Sequence, residues 1–138
     1  MHIPDGFLNI PTASVCGVLA VAGIGTALRR IDRDLPDRRV PLLGLSAAFV
    51  FAAQMLNFPV AAGTSGHLIG ATLCAILLGS EAAMISMSAV LILQCLIFGD
   101  GGITALGANL FNMALVAPLV GYSVWRFASR LFGSSTTA

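Results

Sequence analysis

His2 and His67 are the only imidazoles in the chain, and His2 follows directly on the first residue. The free α-amine of Met1, the amide nitrogen between Met1 and His2, and Nδ1 of His2 can close a five-membered and a six-membered chelate ring around one metal ion. Three nitrogens then lie in one plane. His67 would supply a fourth, and four nitrogens in a square suit Ni(II) or Cu(II) and suit Zn(II) poorly. Displacing an amide proton requires a strongly polarising cation, which disfavours Mg(II) and Ca(II), ions that prefer oxygen donors. Taken singly the histidines say less. His67 also fits a neutral ring bonded to loop carbonyls or seated at headgroup level, and His2, beside a terminus, fits a disordered residue. Initiator methionine is generally removed only before small residues, so Met1 is expected to stay ahead of the large His2. Residues 1–8 carry neither a basic leader region nor a cleavage pattern, and the N-terminus reads as mature.

A ligating imidazole usually gives its other N–H to a carboxylate or carbonyl, so Asp5 or Asp100 is expected to stand behind the ligands. Thr64, Ser65 and Asn109 are further polar candidates for that supporting role, while the rival reading of Gly99-Asp100-Gly101-Gly102 is a plain outer turn. Glu81 reads as a solvated turn residue. Met55, Met84, Met87 and Met113 lie in apolar runs and read as packing groups, not as Cu(I) ligands. Cys16, Cys74 and Cys95 keep no motif spacing, which speaks against a disulfide framework or a cysteine metal site. The chain has no phosphate-binding Gly-rich loop and no nucleophile with a base and an orienting group, so it is not expected to be an enzyme.

The elements that must position these residues follow from composition. Of 138 residues only 9% are charged, against roughly 25% in an ordinary soluble domain, while 57% are hydrophobic and the mean hydropathy is +0.94. So few polar side chains cannot cover a water-soluble globule, and the chain reads as an all-α polytopic membrane protein. All seven basic residues are arginines with no broad basic patch, which excludes a nucleic-acid surface. Charges delimit the spans. The stretch from Val40 to Ser80 holds none and is roughly twice the ~20 residues a span needs, so it must break near Pro59 to Gly66. Five spans result, at about 12–30, 40–58, 66–80, 82–98 and 106–128. Five of the seven arginines fall between Arg29 and Arg39 and the others are Arg126 and Arg130, which places that connection and the C-terminus in the cytoplasm. The N-terminus, His67 and Asp100 then share the outer side. The third span is short and its entrance Gly-rich, which suggests irregular backbone lining a protein-enclosed cavity.

Met1-His2-Ile3-Pro4-Asp5-Gly6-Phe7-Leu8, Gly63-Thr64-Ser65-Gly66-His67-Leu68-Ile69-Gly70 and the run from Phe98 through Gly99-Asp100-Gly101-Gly102 to Met113 resemble, in this order, the motifs of the NikM/CbiM family. These are the substrate-capture components of energy-coupling factor (ECF) transporters for nickel and cobalt. The resemblance implies a metal site made by the Met1 amine, the His2 amide and imidazole nitrogens and the His67 imidazole, with Ni(2+) or Co(2+) bound as substrate. It implies partners too: a transmembrane coupling protein, a pair of cytoplasmic ATPase subunits and often a small accessory membrane subunit. Gly-Thr-Ser-Gly-His at 63–67 resembles the nickel branch more than the cobalt branch. Family members usually continue through about two further spans, so residues 1–138 read as a single, short metal-capture domain. The rival from another class is a membrane-embedded metal sensor or scaffold that binds the ion without moving it.

Overall fold

The computed structural model of the protein describes residues 2–34, 40–61 and 65–133. Met1 and Thr64, both singled out above, lie outside the described residues. Helix α1 (Ile10–Asp34) is followed by α2 (Val40–Gln54), a two-residue antiparallel ladder of β1 (Phe58–Pro59) with β2 (Ser65–Gly66), α3 (Ala71–Leu78), α4 (Ser80–Phe98) and a long α5 (Leu106–Leu131). Within α5, residues Leu110–Val116 are wound as a π-helix.

Among the described residues three helices are long and apolar enough to cross a membrane: Ile10–Ile31, Ser80–Phe98 and Leu106–Leu131. These coincide with the first, fourth and fifth expected spans. The second and third come out shorter than expected. Helix α2 ends at Gln54, ahead of the ladder that Phe58 and Pro59 enter, because proline disfavours helical backbone in the residue before it. Helix α3 starts at Ala71, five residues after the expected Gly66, and ends at Leu78, with the single residue Gly79 between it and α4. Gly79 makes that reversal with φ +92°, a left-handed conformation costly to any side chain.

Helix α4 is the hub, packed against α1, α2, α3 and α5. Val50 of α2, Ala71, Cys74 and Ala75 of α3, Met87, Val90 and Leu91 of α4 and Ala114 of α5 form the apolar core. The two methionines at 84 and 87 are buried packing groups, as their apolar setting implies. Where α1 meets α5 the approach is close: a Cβ on Gly107 would lie 2.6 Å from Gly17 Cα, so the crossing requires glycine there. Outward faces stay apolar, with Val18, Val21, Leu45, Phe49 and Phe127 exposed, a surface suited to lipid and not to water. Glu81 is not a turn residue. It lies in the first turn of α4, half-buried, and pairs with Arg30 of α1 at 3.4 Å.

Candidate metal centre

The N-terminal segment, the stretch before α3 and the loop after α4 converge at one end of the bundle. There His2 and His67 are buried, 8% and 6% exposed, with ring centroids 5.4 Å apart and planes tilted by 42°. Residues 67–70 are irregular and bring His67 inward before α3 begins, as the Gly-rich entrance suggested. Its Nδ1 lies 2.9 Å from the carbonyl oxygen of Leu68. A carbonyl only accepts, so Nδ1 must donate, and the proton is fixed there. In the neutral ring Nε2 of His67 is then the nitrogen with the lone pair, and it is buried with no hydrogen-bond partner.

Asp100 is brought to His2, with Oδ1 3.0 Å from Nδ1 though not aligned as a hydrogen bond. The side of the ring differs from expectation. A carboxylate that merely orients a chelating His2 would meet Nε2, whereas Asp100 meets Nδ1, the nitrogen from which the chelate ring closes. A cation held at Nδ1 would meet this carboxylate directly. The plain-turn reading of residues 99–102 does not hold either: Gly102 N–H donates to the Ile3 carbonyl at 3.0 Å, and a Cβ on Gly101, at φ +101°, would approach His2 Cβ to 2.9 Å. The glycines let this loop wrap the N-terminal segment.

Asn109 grips the same segment from α5. Its Oδ1 accepts from Ile3 N–H at 2.9 Å, and its Nδ2 donates to the Ile3 carbonyl at 3.1 Å. This double bond fixes the peptide directly after His2. Asp5 does something other than back an imidazole. Its carboxylate accepts from the Thr104 hydroxyl at 2.5 Å, Thr104 N–H at 2.7 Å and Ile103 N–H at 3.2 Å, clasping the segment to the loop. The Thr104 hydroxyl, then its backbone N–H, holds the Asp5 carboxyl below the usual carboxylate range. Ser65 is exposed in the ladder opposite Pro59.

Two residues that sequence reasoning passed over also sit at this end. Gln54 and Gln94 are fully buried, and Gln54 Nε2 donates to the Ile69 carbonyl at 2.6 Å, two residues after His67. The available signal was a carboxamide within an otherwise apolar span, where polar groups are costly and usually have a task.

Among the described residues no three His, Cys, Asp or Glu side chains converge in a group able to hold a metal. Residues 2–138 match the family described as the cobalt uptake substrate-specific transmembrane region. The chain belongs to the CbiM family. The fused nickel transport protein NikMN of Rhodobacter capsulatus is 44% identical over 130 residues, 94% of this chain and 38% of that protein. The cobalt transport protein CbiM of a Roseiflexus species is 39% identical over 129 residues, 91% of this chain and 51% of its own length. A solved truncated transition metal transporter superposes with a TM-score of 0.88 at 45% identity, covering 95% of this chain and 61% of that one. The chain thus spans about half the length of the curated relatives it matches. Membership in this transmembrane family and the three apolar helices make the chain an integral membrane protein of a transport family, not of an enzyme family.

Proposed function

We propose that this CbiM-family chain captures Ni(II) at the outer membrane face for an ATP-driven importer, in a square of four nitrogens. The Met1 amine, the His2 amide nitrogen, His2 Nδ1 and His67 Nε2 are the donors. The observation that carries the reading is His67 Nε2, a buried lone pair whose tautomer the Leu68 carbonyl fixes, beside a second buried imidazole. A deprotonated amide and the Asp100 carboxylate would together offset the two positive charges of the ion, which makes burial of the complex affordable in a low-dielectric setting. Asn109 and Asp5 hold the N-terminal segment on either side of Pro4, which restrains the backbone next to His2. Nickel is favoured over cobalt by the Gly-Thr-Ser-Gly-His motif and by the higher identity to a relative named for nickel. Release inward requires a transmembrane coupling protein with ATPase subunits, often joined by a small accessory membrane subunit. Residues 1–138 act as one capture domain, with the N-terminus outside and the C-terminus in the cytoplasm.

The test exploits the terminus. One Ala added ahead of Met1 turns the amine into an amide and enlarges the ring while every side chain remains. The purified, extended protein, its mass confirmed, should lose square-planar nickel binding and its absorption band, whereas a C-terminal tag should leave both intact. Unchanged affinity and spectrum in the extended protein would remove the terminal amine from the site. Nickel accumulation in cells with and without coupling subunits then separates capture for import from a sensor or scaffold, which would show no dependence on them.

A further inference from the structure

Among the described residues, every buried side-chain nitrogen or oxygen without a hydrogen-bond partner belongs to four residues: His2, His67, Gln54 and Gln94. The histidines have a task in the reading above. The glutamines do not. Gln54 Oε1 and both Oε1 and Nε2 of Gln94 are buried and unpartnered, and a buried carboxamide is ordinarily satisfied by protein or by an ordered water.

Their level in the bundle is fixed by the helices. Val50 and Val90 belong to the same core cluster, and Gln54 and Gln94 each follow four residues later, just over one turn and about 6 Å further along α2 and α4. Both helices run toward the end that holds the histidines, so the carboxamides form the next layer above the core and beneath the imidazoles. Gln54 is tied by its carboxamide to one half of the candidate site, and Gln94 by its backbone to the other. Gln54 Nε2 holds the Ile69 carbonyl in the stretch that carries His67, and the Gln94 backbone carbonyl accepts from Asp100 N–H at 3.0 Å in the loop that faces His2. Gln54 Oε1 needs a donor, while Gln94 needs both a donor and an acceptor. Water supplies both at once, and a buried water requires two or more such polar partners.

We propose that Gln54 and Gln94 enclose a buried water site and act as positioning residues, coupling the segment that carries His67 to the loop that faces His2. The spacing of the two imidazoles is then set from below, through the water, as well as from above by the N-terminal segment. The part of this that concerns nickel rests on the proposed metal site; the water itself does not.

A crystal structure of the metal-free, full-length protein should show water density within hydrogen-bonding distance of both carboxamides. A direct amide–amide bond, or a dry gap between them, overturns the proposal whether or not the protein binds nickel. Nickel titration of purified Gln54→Met, Gln94→Met and the double variant supplies the second arm. Each single variant should bind nickel about tenfold more weakly, at the low end of losses seen for groups that orient ligands, with a displaced absorption band. The double variant should bind no worse than the weaker single one, because removing either carboxamide already breaks the shared bridge. Unchanged affinity in the single variants, or losses that simply add, overturn it. A wild-type protein that binds no nickel defeats the metal reading, and the water density still decides this one.

Discussion

Among the described residues a carboxylate meets a nitrogen base at each end of α4, and the two contacts are built differently. At the N-terminal end, the inner one in the proposed topology, Arg30 and Glu81 meet at 3.4 Å with side chains 74% and 36% exposed. At the other end, the outer one in that topology, His2 and Asp100 meet at 3.0 Å with side chains 1% and 29% exposed. Solvent screens the first pair and lets both partners relax around it. The second is held by a loop of glycines, by Asn109 on the following peptide and by the Asp5 clasp, so its geometry is imposed by the backbone. Burial and backbone tethering, more than distance, separate a contact that merely exists from one that can select a ligand.

The largest effect should follow from removing the lone pair at the outer end. His67→Ala leaves three donors and should weaken nickel binding by more than ~100-fold, beyond the losses typical of supporting residues. Isothermal titration with nickel checks it, and wild-type affinity in this variant would break the comparison at its root. Asp100→Asn comes next. It keeps the shape of the side chain and removes its charge beside His2 Nδ1, so affinity should fall by about 10 to 100-fold while the nickel spectrum keeps its square-planar form. A loss as severe as that of His67→Ala would make Asp100 a ligand itself.

How much of this was legible in advance differs along the chain for physical reasons. The helices at 10–34, 80–98 and 106–131 follow from charge-free runs, which report burial in lipid directly. The ends of α2 and α3 do not, because hydropathy cannot distinguish helix from the irregular backbone of residues 67–70, which is equally apolar, with His67 buried and Leu68 and Ile69 exposed. The pairing of His2 with His67 was readable from topology, since both fall on one side. Which nitrogen Asp100 faces was not, nor was the Asp5 clasp, whose partners lie 98 and 99 positions away. Gln54 and Gln94 were passed over because a scan for titratable groups ignores a neutral carboxamide, although its place in an apolar span was a signal that its full burial now bears out.

The smallest effect is expected at the inner end, and it sharpens the contrast most cleanly. Glu81→Gln removes the charge facing Arg30 but retains an oxygen able to accept from the Ser80 hydroxyl, which now donates to Oε2 at 2.7 Å. An exposed pair of this kind contributes roughly 0.2–1 kcal/mol, because water solvates the separated ions nearly as well as they solvate each other. Thermal unfolding in detergent should therefore shift only slightly, and the shift should shrink further in high salt, where the pair is screened. Nickel affinity should stay within about twofold of wild type, since nothing links Glu81 to the histidines except the length of α4 and its apolar core. A tenfold loss of nickel binding in Glu81→Gln, with the fold intact, would mean that the inner pair biases the outer site through that helix, and the two ends would have to be treated as one coupled device.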